Sequence, residues 1–286
     1  MPKRKISIAV PASIISDVPH LRDKTLKVGL IGRAAAIFRV DEIIVYSDNP
    51  RVNQTSDMDL VAALLSYMDT PQYLRKKLFR LRPELRYAGV LPPMRTPHHP
   101  LNRLMKNLEV GEYREGVTLS KTKTGVLVDI GIEKPATILG TQLPTSKRVT
   151  VRVTKVDRRV EAELVQPDEI LEYWGYRVTT ENLSFGQIVK TKSFDLTIAT
   201  SKYGVPLVNV AEGIAERWRK ADRILLAFGA PIHGLYEIVK CEGLNLEEIV
   251  DFVINTIPKQ GTETIRTEEA VTASLAILNY NFAFKT

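Results

Sequence analysis

An α/β domain with a mostly parallel sheet, interrupted by a small β-barrel, is the fold class this sequence predicts. Three observations predict it. The chain opens on a strand, a helix and a second strand; between Glu112 and Val165 it becomes five short β-type runs with no helix; and its last third returns to alternating strands and helices. Three late strands each end in a small, polar or glycine-rich loop, the usual form of a parallel sheet with a site at one edge.

Ile6, Ile8 and Val10 alternate with Ser7 and Ala9, giving a strand that stops at Pro11. A helix from about His20 puts Leu26, Leu30, Ala34, Ile37 and Phe38 on one apolar face and leads into a strand at Glu42 to Tyr46. Asp57 to Met68 is a second helix by its spacing of Leu60, Ala63, Leu64 and Tyr67. Thr70-Pro71, an N-cap followed by proline at the first helical position, opens a third. That third helix carries Arg75, Lys76, Lys77, Arg80, Arg82 and Arg86. Such a charge run is either a solvated face or a phosphate-contacting surface, with Tyr73 and Tyr87 placed to stack on bases. Four prolines between Gly89 and Pro100 exclude a helix, so that stretch is a linker or crossing.

The β-rich part follows, with strands at 116–119, 125–130, 137–139, 148–156 and 160–164. Five short strands suit a barrel of the OB or S1-like kind, either a structural insertion or a binder of single-stranded nucleic acid. Its basic hairpin holds Lys147, Arg148, Arg152, Lys155, Arg158 and Arg159. After Tyr173-Trp174-Gly175-Tyr176 the α/β pattern resumes. Leu196 to Ala199 ends in Thr200-Ser201, Glu212 to Lys220 is an amphipathic helix, and Ile224 to Phe228 ends in Gly229-Ala230-Pro231. An apolar run from Ile249 to Ile254 passes through Asn255-Thr256, Pro258 and Gly261 to a helix at Thr267 with Val271, Leu275 and Leu278 on one face. These textures divide the chain into 1–92, 93–172 and 173–286.

Composition narrows the function. A 44% hydrophobic content over 286 residues is that of a globular protein, and the net charge of +7 favours a polyanionic partner. One cysteine, Cys241, rules out an internal disulfide and suits a reducing compartment. The four histidines, His20, His98, His99 and His233, lack metal-ligand spacing, so no metal is expected. No apolar run approaches the roughly 20 residues of a membrane span, and the basic start runs straight into a strand with no signal-peptide core. A cytoplasmic protein is the expectation.

In open α/β sheets ligands bind beyond the carboxyl ends of the strands, which points to the loops beginning at Thr200, Gly229 and Asn255. No G-x-G-x-x-G follows the first strand, and Gly229 to Gly234 is followed by Leu235-Tyr236 instead of the Lys-Ser/Thr of a Walker motif. No Ser/His/Asp arrangement can be assembled, since His233 has no partner in the sequence pattern. What remains is an uncharged, loop-lined pocket for a cofactor met by backbone groups and apolar walls, for which S-adenosylmethionine is a fitting candidate.

At these loops the chain resembles a known family. NTIPKQGTETIRTEEA, with AVPASI, GRAAAIFRVDEIIVY, TPQYLRK, the TPHH pair, EYREG, YWGY and DLTIATS, is similar in order to the archaeal and eukaryotic branch of the SPOUT (α/β-knot) RNA methyltransferases, from Ser7 to Leu278. The resemblance implies a C-terminal trefoil knot, a homodimer, S-adenosylmethionine bound in the knot, and the OB-like barrel inserted between two parts of the SPOUT domain. Carried over by motif, the cofactor would be held by Thr200 and Ser201, by Phe228, Gly229, Ala230 and Gly234 with Leu235 as an apolar wall, and by Asn255, Thr256, Ile257, Pro258, Gln260, Gly261, Thr267 and Ala270. Gly261 and Pro258 would then be steric requirements of a tight passage. Arg33 resembles the family's arginine that faces the target nucleotide, with a helix-surface salt bridge as its bland alternative; Arg266 and Glu268 are the local catalytic candidates. RNA contacts are expected from Arg75, Lys76, Lys77, Arg80, Lys147, Arg148, Arg152 and Lys155. The function implied is methylation of a base in large-subunit ribosomal RNA, uridine N3 favoured. The alternatives are ribose 2′-O-methylation and an RNA-binding assembly factor with a vestigial cofactor site.

Overall fold

The computed structural model describes residues 4–282; the basic start at Met1 to Lys3 lies outside them. In chain order the elements are β1 (Lys5–Pro11), α1 (Leu21–Ile37), β2 (Glu42–Tyr46), α2 (Thr55–Asp69), α3 (Gln72–Leu78), β3 (Tyr113–Lys121), β4 (Gly125–Asp129), β5 (Ala136–Leu139), β6 (Arg148–Val156) and β7 (Val160–Leu164). There follow β8 (Arg177–Glu181), α4 (Phe185–Thr191), β9 (Leu196–Pro206), α5 (Leu207–Lys220), β10 (Arg223–Ala227), α6 (Leu235–Cys241), α7 (Leu246–Ile249), β11 (Phe252–Asn255) and α8 (Thr267–Phe282). They form two compact units: Met1–Ser66, Glu84–Pro92 and Tyr176–Thr286 make one, Tyr67–Pro83 and Pro93–Gly175 the other. Tyr67–Pro83, which the sequence pattern leaves in the first part of the chain, groups with the barrel.

The first unit is built on a six-stranded parallel sheet in the order β11-β9-β10-β1-β2-β8. Ala9, Ile44, Ala199, Leu225 and Ala227 pack on Phe185 and Ile188 of α4 and on Leu235, Ile238, Val239 and Leu246 of α6 and α7. The alternate positions, Ile8, Val10, Ile43, Val45, Ile198 and Leu226, are equally buried, so both faces are covered, which is why these strands read as near-continuous apolar runs. Helices α1, α5 and α8 form a second packed group, with Trp218 of α5 and Phe282 of α8 at 5.4 Å between ring centres.

Helix α1 departs from the sequence expectation: of Leu26, Leu30, Ala34, Ile37 and Phe38, expected on the inner face, Ala34 is buried and Phe38 half-buried, and the other three face outward. Val28, Ile31, Ala35 and the buried Lys27 face inward, while Leu26, Leu30 and Ile37 are 45%, 43% and 53% exposed. Small residues, Gly29, Gly32 and Ala34 to Ala36, share that side because α1 is pressed close: Leu91 and Pro92 approach Gly29 so nearly that an added Cβ would meet them at 2.8–2.9 Å. Leucines could not fit there, and they lie on the outer side.

The second unit holds a closed barrel in the order β3-β4-β5-β7-β6, antiparallel except for the β5–β7 pair. That is the five-stranded OB arrangement. Its interior is Val126, Val128, Ile130, Ile138, Val149, Val151, Val153 and Val160, the inward half of strands whose outward half is polar. The third helix is shorter than expected: α3 ends at Leu78, and Arg80, Arg82 and Arg86 lie beyond it.

Candidate functional site

The site forms because β9 does not stop where its apolar run does. Beside β11 the strand pairs Phe252 with Ile198 and Val253 with Ala199, then Ile254 with Val205 and Asn255 with Pro206. Residues 200–204 are thrown out of register between those pairs, and the excursion supplies Thr200, Ser201, Lys202 and Tyr203 to the wall of a cavity of about 340 Å3. Gly204 closes it under Ile254, whose backbone N, C and O would lie 2.6–2.8 Å from a Cβ there. Only glycine permits that approach.

The loop after β10 contributes Phe228, Gly229, Ala230, Pro231, Ile232 and Gly234; the one after β11 contributes Asn255, Thr256, Ile257, Gln260, Thr264 and Ile265; and α8 contributes Thr267, Ala270 and Ser274. Hydroxyl and amide groups brace these loops against one another. Thr200 Oγ1 donates to Ala227 O at 3.0 Å, Thr267 Oγ1 to Gly229 O at 3.1 Å and Asn255 Nδ2 to Lys202 O at 3.0 Å, while Thr256 and Ser274 hydroxyls meet at 2.7 Å. Three threonines expected at the cofactor therefore hold the cleft in shape, a framework in which backbone groups and apolar walls are left to meet a ligand.

Of the fifteen residues expected to hold a cofactor, twelve line this one cavity; Leu235, Pro258 and Gly261 do not. Leu235 is fully buried in the core behind it, and the apolar wall is made by Phe228, Ile232, Ile257 and Ile265 instead. Gly261 is exposed with nothing within 4 Å of an added Cβ, so the steric requirement expected there is absent. Eight lining residues lie outside the expected set: Lys202, Tyr203, Pro231, Ile232, Glu237, Thr264, Ile265 and Ser274. No pattern in the sequence announces a strand that bulges by five residues and then resumes pairing.

Arg33 is half-buried on α1, on the stripe that also carries the exposed Leu26, Leu30 and Ile37. Arg266 is exposed at the start of α8, where its backbone N–H donates to Glu269 Oε2 at 2.9 Å, the reciprocal bond of a helix cap. Glu268, expected as a catalytic candidate, is 6% exposed and turned to α1, where it faces Lys27 Nζ at 3.5 Å; Lys27 also donates to Asp17 at 2.6 Å. It does not line the cleft, because the first turn of α8 directs it to the helix neighbour while Thr267 and Ala270 face the cavity.

In the barrel unit most of the expected RNA contacts serve internal bonds. Arg75 donates to Thr70 O and Met68 O at 2.9 and 3.1 Å, Lys77 pairs with Asp129, Arg152 with Glu163, and Lys155 with Glu161 at 3.7 Å. Arg148 bridges Glu115 at 2.7 Å and Asp69 at 3.1 Å, in a network closed by Thr150 and Trp174 on Glu115. Tyr73 donates to Glu115 O at 2.8 Å, and burial pushes its hydroxyl pKa up, so it is not placed to stack on bases. Lys76, Arg80 and Lys147 remain exposed. Among the described residues no group of three His, Cys, Asp or Glu is placed to hold a metal, and no helix is long and apolar enough to cross a membrane.

A cleft beyond the carboxyl ends of a parallel sheet, braced by hydroxyls and almost free of charge, defines a binder of a small organic cofactor. The chain belongs to the family of RNA methyltransferases whose model, described as "Putative RNA methyltransferase", matches residues 5–278. It is 33% identical to the human 28S rRNA (uridine-N(3))-methyltransferase over 311 residues, covering 96% of this chain and 77% of that protein. The mouse enzyme of the same description is 34% identical, with 96% and 75% covered. An uncharacterized protein of Halobacterium salinarum is 35% identical over 95% of this chain and 98% of its own length. S-adenosylmethionine is the methyl donor of such an enzyme. The lining fits it in chemistry, with apolar and backbone surface for an adenosine, and in size, at the lower end of small-molecule sites.

Proposed function

We propose that this protein methylates a base of large-subunit ribosomal RNA, with N3 of a uridine as acceptor. The cleft of about 340 Å3 carries the reading, together with the relatives' activity on 28S rRNA uridine N3. The bound cofactor supplies an electrophilic methyl group. Phe228, Gly229, Ala230, Ile257 and Ile265 would hold and orient it. A uridine acceptor must lose its N3 proton, which passes to solvent water as the base enters the cleft, and a guanidinium beside the ring would stabilise the resulting anion. Arg33 takes that role, reaching the cleft of a second copy, with Arg266 as the cation at the rim of its own.

Two observations support the assembly. A stripe formed by Leu26, Leu30 and Ile37 is left uncovered on a helix whose other side is core, and Arg33 is on it, so a second copy of the chain covers the stripe. The C-terminal segment leaves β11 at the sheet edge, bonds from Thr267 to the loop after β10, and packs α8 on α1, a course that suits the knotted threading of the SPOUT class.

RNA is gripped by the barrel at the turn between β3 and β4. Gly116 to Val128 and Pro135 to Val156 contain no acidic residue, and Lys121, Lys123 and Lys147 are all exposed there, the segment of Lys147 being tied to β3 by its N–H donating to Thr118 Oγ1 at 2.9 Å and the turn by Gln142 donating to Thr122 O at 3.2 Å. Nucleoside mass spectrometry of ribosomal RNA from a strain lacking the protein tests the whole. A missing 3-methyluridine, restored by wild type and not by Arg33→Ala, is expected; an unchanged nucleoside profile sinks the proposal, and a missing 2′-O-methyl group redirects it to the ribose.

A further inference from the structure

Among the described residues lining the cleft only two side chains carry charge, and their signs are opposite: Lys202 in the excursion of β9 and Glu237 in α6. They make no ion pair with each other or with any other described residue. Lys202 Nζ lies over the ring of Tyr203, 5.1 Å from its centre. Glu237 extends its carboxylate over Gly234, where Oε2 would be 2.9 Å from an added Cβ, so the absence of a side chain at 234 makes the room it occupies. Every other lining residue is neutral.

Lys202 and Glu237 are both exposed on the wall of one small cavity, where solvent weakens their mutual attraction and leaves each charge available to a ligand. A ligand carrying an ammonium and a carboxylate on one carbon satisfies both at once, each through a charge-assisted hydrogen bond. The neutral remainder of the cleft has no use for such a group, and adenosine does not carry one. We infer that Glu237 and Lys202 read the amino-acid tail of the cofactor, Glu237 taking the α-ammonium and Lys202 the α-carboxylate, so that the cleft selects a ligand with a zwitterionic tail over its adenosyl part alone. The inference rests on the reading of the cleft as the S-adenosylmethionine site, and it assigns two residues that no motif of the family resemblance supplied.

Isothermal titration calorimetry with two methyl-free probes separates the two levels. S-adenosylhomocysteine has the tail; methylthioadenosine has the same nucleoside and thioether without it. Wild type binds S-adenosylhomocysteine the more tightly. Glu237→Gln and Lys202→Met each lower that affinity about tenfold, the loss of one charge-assisted bond, and leave methylthioadenosine within about twofold. Both residues are exposed, so the variants fold, which a thermal melt checks. Variants that bind S-adenosylhomocysteine as wild type does, or that lose both probes equally, overturn the inference and leave the cofactor site standing. Wild type that binds neither probe overturns the site and the inference together.

Discussion

Gly204 and Gly261 flank the same cleft and have opposite demands. At 204 a methyl group would meet the backbone of Ile254, which cannot move without parting β9 from β11, and overpacking of this kind costs about 1–3 kcal/mol. Gly204→Ala is therefore expected to lower the urea midpoint and to weaken S-adenosylhomocysteine binding. Gly261→Ala, facing open space, should change stability by less than about 0.5 kcal/mol in the same experiment. His99 makes a prediction about pH. Burial, and then the neighbouring His98, lower its pKa to about 4 from an ordinary 6.5, while its Nε2–H donates to Asp69 O at 2.9 Å. The unfolded chain takes up that proton first as pH falls. The stability contributed by neutral His99 is present above pH 6.5 and is lost progressively down to about pH 4, a loss on the order of 3 kcal/mol. Urea unfolding of wild type and His99→Gln at pH 7, 6, 5 and 4.5 should show the two stabilities converging toward acid; parallel curves would contradict this.

At the scale of elements, the seam between α1 and α8 is held by a buried charge. Lys27, 4% exposed, bridges Asp17 and Glu268, and removing the cation leaves Glu268 without compensation in the core. Breaking such a pair from one side costs about 3–5 kcal/mol, whereas replacing both partners is far milder. Lys27→Met should thus be strongly destabilised and Lys27→Met with Glu268→Gln largely recovered, a coupling that a double-mutant cycle measures by chemical denaturation. Additive losses would show that the two groups do not interact. The barrel has its own test. Changing Lys121, Lys123 and Lys147 together to Glu should weaken binding to a ribosomal RNA fragment and reduce the log–log salt slope by about 2, the share of three phosphate contacts on a single strand. The affinity for S-adenosylhomocysteine should not change, and an unaltered salt slope would remove the barrel turn from the RNA surface.

For the whole molecule the decisive question is what covers α1. Leu30→Asp with Ile37→Asp places two charges on the exposed stripe without touching the core, so the fold should persist while the assembly dissociates. Sedimentation velocity is expected to give a dimer for wild type and a monomer for the variant, with methylation of RNA lost and cofactor binding retained. A wild-type monomer that methylates RNA would refute the dimer and the partner role of Arg33 together.

Alternation and apolar runs were enough to find every strand of the sheet except β8, all five strands of the barrel, and the three loops that line the cleft. These features are local: a strand's burial is written in its own residues, and a parallel sheet places the carboxyl ends of its strands on one edge whatever their order. Family motifs then named twelve of the cavity's residues. Tertiary structure alone decided which face of α1 is inside, because that depends on how near Leu91 and Pro92 come to Gly29. It also decided that Glu268 serves a helix seam, that Arg148 is bound within the barrel unit, and that Lys202 and Glu237 line the cleft. Each of these is a matter of distance between residues far apart in sequence, and no periodicity along the chain encodes such a distance.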